Sequence, residues 1–149
     1  MLSQTLPPST LAAVTPTQHP RRGARSIVRS IGAVAAGLVA IVAVTTATDV
    51  VMHATGVFPP VGAPPMSSRL FLLAFAYRIV YDAAGCYLTA RLAPHRPMRH
   101  ALALGSIGLV LSIAGAIAMW DAGPAWYPIA VAASALPCAW LGGRLHRRS

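Results

Sequence analysis

The chain has 149 residues, 56% of them hydrophobic and only 10% charged, with a mean hydropathy of +0.61. That is more apolar side chain than one water-soluble core of this size absorbs, and a bilayer is its natural sink. Twelve basic residues, all Arg, face three Asp for a formal charge of +9, which raises nucleic-acid binding as a class. Ten of the twelve Arg, however, sit in three short clusters beside apolar segments, and no basic stripe with interleaved aromatics lies outside those segments. The pattern excludes a nucleic-acid surface and fits Arg side chains that touch anionic lipid headgroups.

Residues 1–26 are rich in Pro, Ser and Thr, carry no acid and show no periodicity, so they are expected to form a disordered, Arg-bearing cytoplasmic tail. Arg21 and Arg22 lack the flanks of a twin-arginine signal, and the tail lacks the amphipathic pattern of a transit peptide. The transmembrane domain follows over residues 27–149. Its first span is expected at about 27–54, with a charge-free stretch from Ile31 to Thr48 that makes about 27 Å of helix. The small residues Thr45 to Ala47 imitate a cleavage site, but the apolar run continues through Val50, Val51 and Met52, which favours an uncleaved anchor.

The prolines at 59, 60, 64 and 65 set an extended loop, and Ser67 or Ser68 is placed to cap the next helix. The second span, about 69–92, contains Arg78 and Asp82. The third, 101–120, is free of charge throughout. The fourth, about 127–143, is short, with Pro128 suited to a first turn and Pro137 expected to kink it. The fold class is therefore all-α: a polytopic membrane protein built as a four-transmembrane-helix bundle.

Arg21, Arg22, Arg25 and Arg29 precede span one, Arg91, Arg96 and Arg99 separate spans two and three, and Arg144, Arg147 and Arg148 follow span four. The opposite set of loops has Arg69 alone. The positive-inside rule places both termini and the middle loop in the cytoplasm, with Trp120, Trp126 and Tyr127 as anchors at the other interface.

Arg78 lies well inside span two, where an unpaired charge is costly. Asp82 is one turn further on the same face, an i,i+4 partner, with Tyr81, Gly85 and Thr89 near that surface. Asp49 of span one lies at a depth that a long guanidinium reaches. These define a candidate intramembrane polar cluster of Asp49, Arg78, Asp82, Tyr81 and His53. Its bland reading is mutual neutralisation that locks spans one and two together; its functional reading is a hydrated path for a proton or small solute.

His53 follows Asp49 at helical spacing, but one His and one Asp are too few to seat a metal, and a hydrogen-bonded interfacial role is the simpler account. Cys86 and Cys138 lie at similar depth without a CxxC pattern and read as small packing residues. Small residues at helical spacing (Gly32 with Ala36, Gly85 with Thr89, Gly108 with Ser112, and Gly142 with Gly143) permit close helix approach within the monomer or in a homo-oligomer. No cofactor, metal or catalytic residue is indicated.

The stretches AYRIVYDAAGCYLTARL (76–92), RLAPHRPMRHALALG (91–105) and GPAWYPIAVAASALPCAWLGGRL (123–145) resemble those of an uncharacterised family of small four-helix bacterial integral membrane proteins. The resemblance covers about residues 27–145 and implies the fold and the bacterial inner membrane, but carries over no activity and no site residue. The expected function is thus that of a non-enzymatic integral inner-membrane protein with an intramembrane Asp/Arg cluster. The alternative is a small oligomeric transporter or proton-coupled permeation unit.

Overall fold

The computed structural model describes residues 20–60 and 66–148, so residues 1–19 of the expected tail and Pro64 and Pro65 of the first loop lie outside the described residues. Among the described residues, four α-helices form an up-down-up-down arrangement: α1 (Pro20–Ala54), α2 (Ser68–Leu92), α3 (Pro97–Ala118) and α4 (Trp126–His146), with a short 3-10 turn, Trp120–Ala122, before α4. Residues 20–26, assigned to the tail from sequence, are helical instead. Pro20 suits a first turn, and Arg21, Arg22, Ala24 and Arg25 are good helix formers that extend the apolar helix backwards.

Three helices (α1 from Arg25 onward, α2 and α3) are long and apolar enough to cross a membrane. α4 has 21 residues, but its two prolines, two tryptophans and Gly142–Gly143 pair dilute its apolarity. It outlasts the expected 127–143 at both ends, and Pro137 sits inside a continuous helix. Large apolar side chains stand exposed all along the bundle, Ile117 at 77% and Val28, Val39 and Val110 at 65–68% among them. Apolar side chains exposed over such an extent are the kind of surface that lipid or another protein covers.

Helix ends follow local chemistry. Gly56, with φ of +73°, takes the left-handed conformation that ends α1 and turns the chain so that the Phe58 N–H donates to the Met52 carbonyl at 2.9 Å. Ser67 precedes α2 but its side chain makes no capping bond; only its carbonyl accepts, from the N–H groups of Leu70 and Phe71. α3 starts earlier than Ala101 because Pro97 occupies its first turn, behind Arg96 in left-handed conformation.

α2 is the central element, packed most extensively on α4, then on α1 and α3, while α3 and α4 form a second close pair. The tight contacts cluster in the half of the bundle that carries the Arg-rich ends. A Cβ on Gly37 would clash with the Thr89 hydroxyl and lie 2.8 Å from the Gly85 carbonyl, and one on Gly142 would lie 2.5 Å from the Ala83 carbonyl and 2.7 Å from the Tyr87 amide nitrogen. A Cβ on Gly105 would run into Ala139. Around these glycines sit Cys86, Ala90, Ala101, Leu104 and Ala139, each at most 2% exposed. Thr89, fully buried, donates to the Ala33 carbonyl at 3.3 Å, which ties α2 to α1.

Small residues thus let backbones meet at this end, the packing mode that van der Waals contact favours between apolar helices. Gly85 with Thr89 and Gly142 with Gly143 serve this role as expected. Gly32 and Gly108 do not: nothing approaches their would-be Cβ within 4 Å, and Gly37 and Gly105 take the close contacts instead. Towards the other end the side chains grow. Phe71 packs on Tyr127 with ring centroids 4.9 Å apart, Phe75 meets Trp126 edge-on at 6.4 Å, and the helices separate.

Candidate functional site

Between the helices lies a cavity of about 690 Å³, reaching from a floor at the buried Cys86, Leu104 and Ala135 to Met66, Met119 and Trp120, and partly open along its side, where Val42 and Leu111 line it. All four helices contribute walls. Its size falls within the range of small-molecule pockets, and its lining is mostly apolar with a few convergent polar groups, the usual composition of such sites.

The polar groups are those of the sequence-predicted cluster, rearranged. Arg78 reaches across to α1, where its Nη2 donates to Asp49 Oδ2 at 2.9 Å. Tyr77, which sequence reasoning passed over, donates its hydroxyl proton to the other carboxylate oxygen, Asp49 Oδ1. Both oxygens of Asp49 are therefore engaged by donors from α2, and the charges of Asp49 and Arg78 offset each other in a half-buried pair. The Arg78 Nε is buried without a hydrogen-bond partner among the described residues.

Tyr81 is not part of this pair. Its hydroxyl lies 3.1 Å from Thr48 Oγ1, and because the single Thr48 proton goes to the Val44 carbonyl at 2.9 Å, Tyr81 is the donor. The α2 face bearing Arg78, Tyr81, Gly85 and Thr89 is thus the one turned to α1, as the spacing predicts. His53 directs Nδ1 to the backbone carbonyl of Asp49 at 2.8 Å, not to its carboxylate, which requires the proton on Nδ1. Phe58 packs edge-on against the same ring at 5.5 Å. His53 is therefore a hydrogen-bonded residue in the cavity lining, with its Nδ1 engaged by the α1 backbone.

Asp82 departs most from expectation. The i,i+4 ion pair with Arg78 does not form, since the guanidinium is held by Asp49. Among the described residues Asp82 makes no hydrogen bond or ion pair, and it stands in the cavity wall one turn closer to the floor than Arg78. Cys86 and Cys138 are buried free thiols on the closely packed α2 and α4. No three His, Cys, Asp or Glu side chains gather as metal ligands among the described residues.

Tyr77 was findable, since it precedes Tyr81 by one helical turn and their rings lie 5.7 Å apart on one strip of α2. Phe71, Phe58 and Tyr127, which also line the cavity, carry no such signal: their place depends on how α1, α2 and α4 separate. No family model, curated protein or solved structure matches the chain. What the molecule does is therefore read from its cavity and the charges in its walls.

Proposed function

We propose that the chain is a non-enzymatic multi-pass protein of a bacterial inner membrane, with all four helices in lipid and both termini cytoplasmic, and that its cavity holds a small lipophilic solute. The cavity carries this reading: it is large, mostly apolar, and its wall includes the exposed mid-helix side chains Val42 of α1 and Leu111 of α3, through which an apolar solute can reach it from the side of the bundle. Asp49 is engaged at both oxygens by Arg78 and Tyr77, so these three residues brace α1 against α2. The exposed apolar side chains of α4, Ile129, Leu136 and Leu141 among them, make its outer face as suited to lipid as those of the other three. The Arg clusters meet anionic headgroups in this picture.

Transport is the second reading, favoured by a cavity that reaches charged residues midway along α2. It requires a further state in which the Gly37–Gly85 and Gly105–Ala139 contacts part, in one copy or in an oligomer.

The test uses two cavity-lining glycines with open space at their would-be Cβ, Gly108 and Gly115. Purified protein in nanodiscs is expected to bind the neutral dye N-phenyl-1-naphthylamine saturably, above the signal of empty discs. The Gly108→Leu/Gly115→Leu variant is expected to lose that component with its helical circular dichroism and elution volume unchanged. No saturable component in the wild type, or one that survives filling, removes the cavity as a binding site.

A further inference from the structure

The charges in the cavity wall do not cancel. Asp49 and Arg78 face each other at 2.9 Å, and the Tyr77 hydroxyl occupies the remaining Asp49 oxygen. Asp82 is left over, lining the cavity without a hydrogen bond or ion pair among the described residues. A half-buried carboxylate that shares a mostly apolar cavity wall with Cys86, Leu104 and Ala135 is partly stripped of water, and a cation placed beside it is stabilised. The one guanidinium of the wall, Arg78, lies near Asp82 but makes its contact with Asp49, so Asp82 has no direct ion-pair partner among the described residues.

We infer that the cavity selects a lipophilic monocation, an amine or quaternary ammonium or phosphonium with an apolar body, held by Asp82 as counter-ion. Two further features fit that ligand. Phe71 and Tyr127, whose rings pack 4.9 Å apart, line the same cavity, and aromatic rings attract cations as well as apolar groups. The remaining lining is aliphatic or sulfur-bearing, which suits an apolar body and offers nothing to a strongly hydrated ion. An anion of the same shape meets the opposite field, since Asp49 and Arg78 offset each other and the Asp82 carboxylate is in excess. The inference deepens the solute-site reading above and rests on it.

The test displaces the bound neutral dye with a pair of ions matched in size and shape, tetraphenylphosphonium and tetraphenylborate. The cation is expected to displace the dye at concentrations at least about tenfold lower than the anion, the effect of one charge-assisted contact in an apolar site. Asp82→Asn is expected to retain dye binding and abolish the preference. Asp121→Asn, altering an acid in the exposed turn before α4, is expected to leave the preference intact. Equal displacement by the two ions, or an undiminished preference in Asp82→Asn, overturns the inference while the solute site stands. If the wild type binds no dye at all, both fall.

Discussion

Arg78→Leu is expected to destabilise the bundle by about 2 to 4 kcal/mol, and Asp49→Asn added to it is expected to recover most of the loss. The asymmetry follows from the geometry. With Arg78 present, each partner of the 2.9 Å pair offsets the other, and both side chains, 34% and 31% exposed, line the mostly apolar cavity. Removing the guanidinium strands the Asp49 charge with Tyr77 as its one side-chain donor. Asp49→Asn removes that charge while keeping an oxygen for Tyr77 to donate to, so the double variant loses a pair instead of exposing half of one. Reversible unfolding in mixed detergent micelles measures the cycle. Additive losses, or an Arg78→Leu variant within about 0.5 kcal/mol of wild type, contradict the bracing role of this pair.

A larger effect is expected from Gly142→Val, about 3 kcal/mol or more, with failure to assemble as the extreme form. Its Cβ would come within 2.5 Å of the Ala83 carbonyl, 2.7 Å of the Tyr87 nitrogen and 2.8 Å of the Cys86 Cβ. Two of those atoms belong to the α2 backbone, which cannot step aside as a side-chain tip does. α2 and α4 have to separate, and theirs is the most extensive contact in the bundle. Gly32→Ala is the matched control, because nothing lies within 4 Å of the added methyl. It is expected to stay within about 0.5 kcal/mol of wild type. Equal tolerance of both replacements in the same unfolding assay contradicts close α2–α4 packing as the anchor of the fold.

These contrasts mark where sequence reasoning reached and where it stopped. The helices were legible because unbroken apolar length is a one-dimensional property: Ile31 to Thr48 and Ala101 to Ala118 announce themselves, and α2 appears within a residue of its expected start. The Asp49–Arg78 contact was legible too, since depth along a helix follows from counting residues. Which residues face inward was not. The helices are apolar nearly all round, and a helix without a polar side does not declare which face meets its neighbours. Hence Gly32 and Gly108, equally plausible from spacing, lie open while Gly37 and Gly105 are pressed against α2 and α4.

The same limit explains Arg78. Spacing makes Asp82 and Asp49 both reachable, and the choice falls to Asp49 because Tyr77 joins Arg78 in holding it. The cavity has no sequence signature at all. It results from a gradient along the bundle, glycine, alanine and cysteine at the Arg-rich end and Phe71, Phe75, Trp126 and Tyr127 at the other, and it is visible when the four helices are laid side by side.

The whole reading depends on α1 to α4 each crossing lipid in alternating directions. Alkaline phosphatase, active only outside the cytoplasm, fused in turn after Pro60, His95, Gly123 and Arg148, reports this directly. High activity at Pro60 and Gly123 with none at His95 and Arg148 is the predicted result. Activity at Arg148 would mean that α4 does not cross, and silence at all four positions would mean that the chain does not span the membrane.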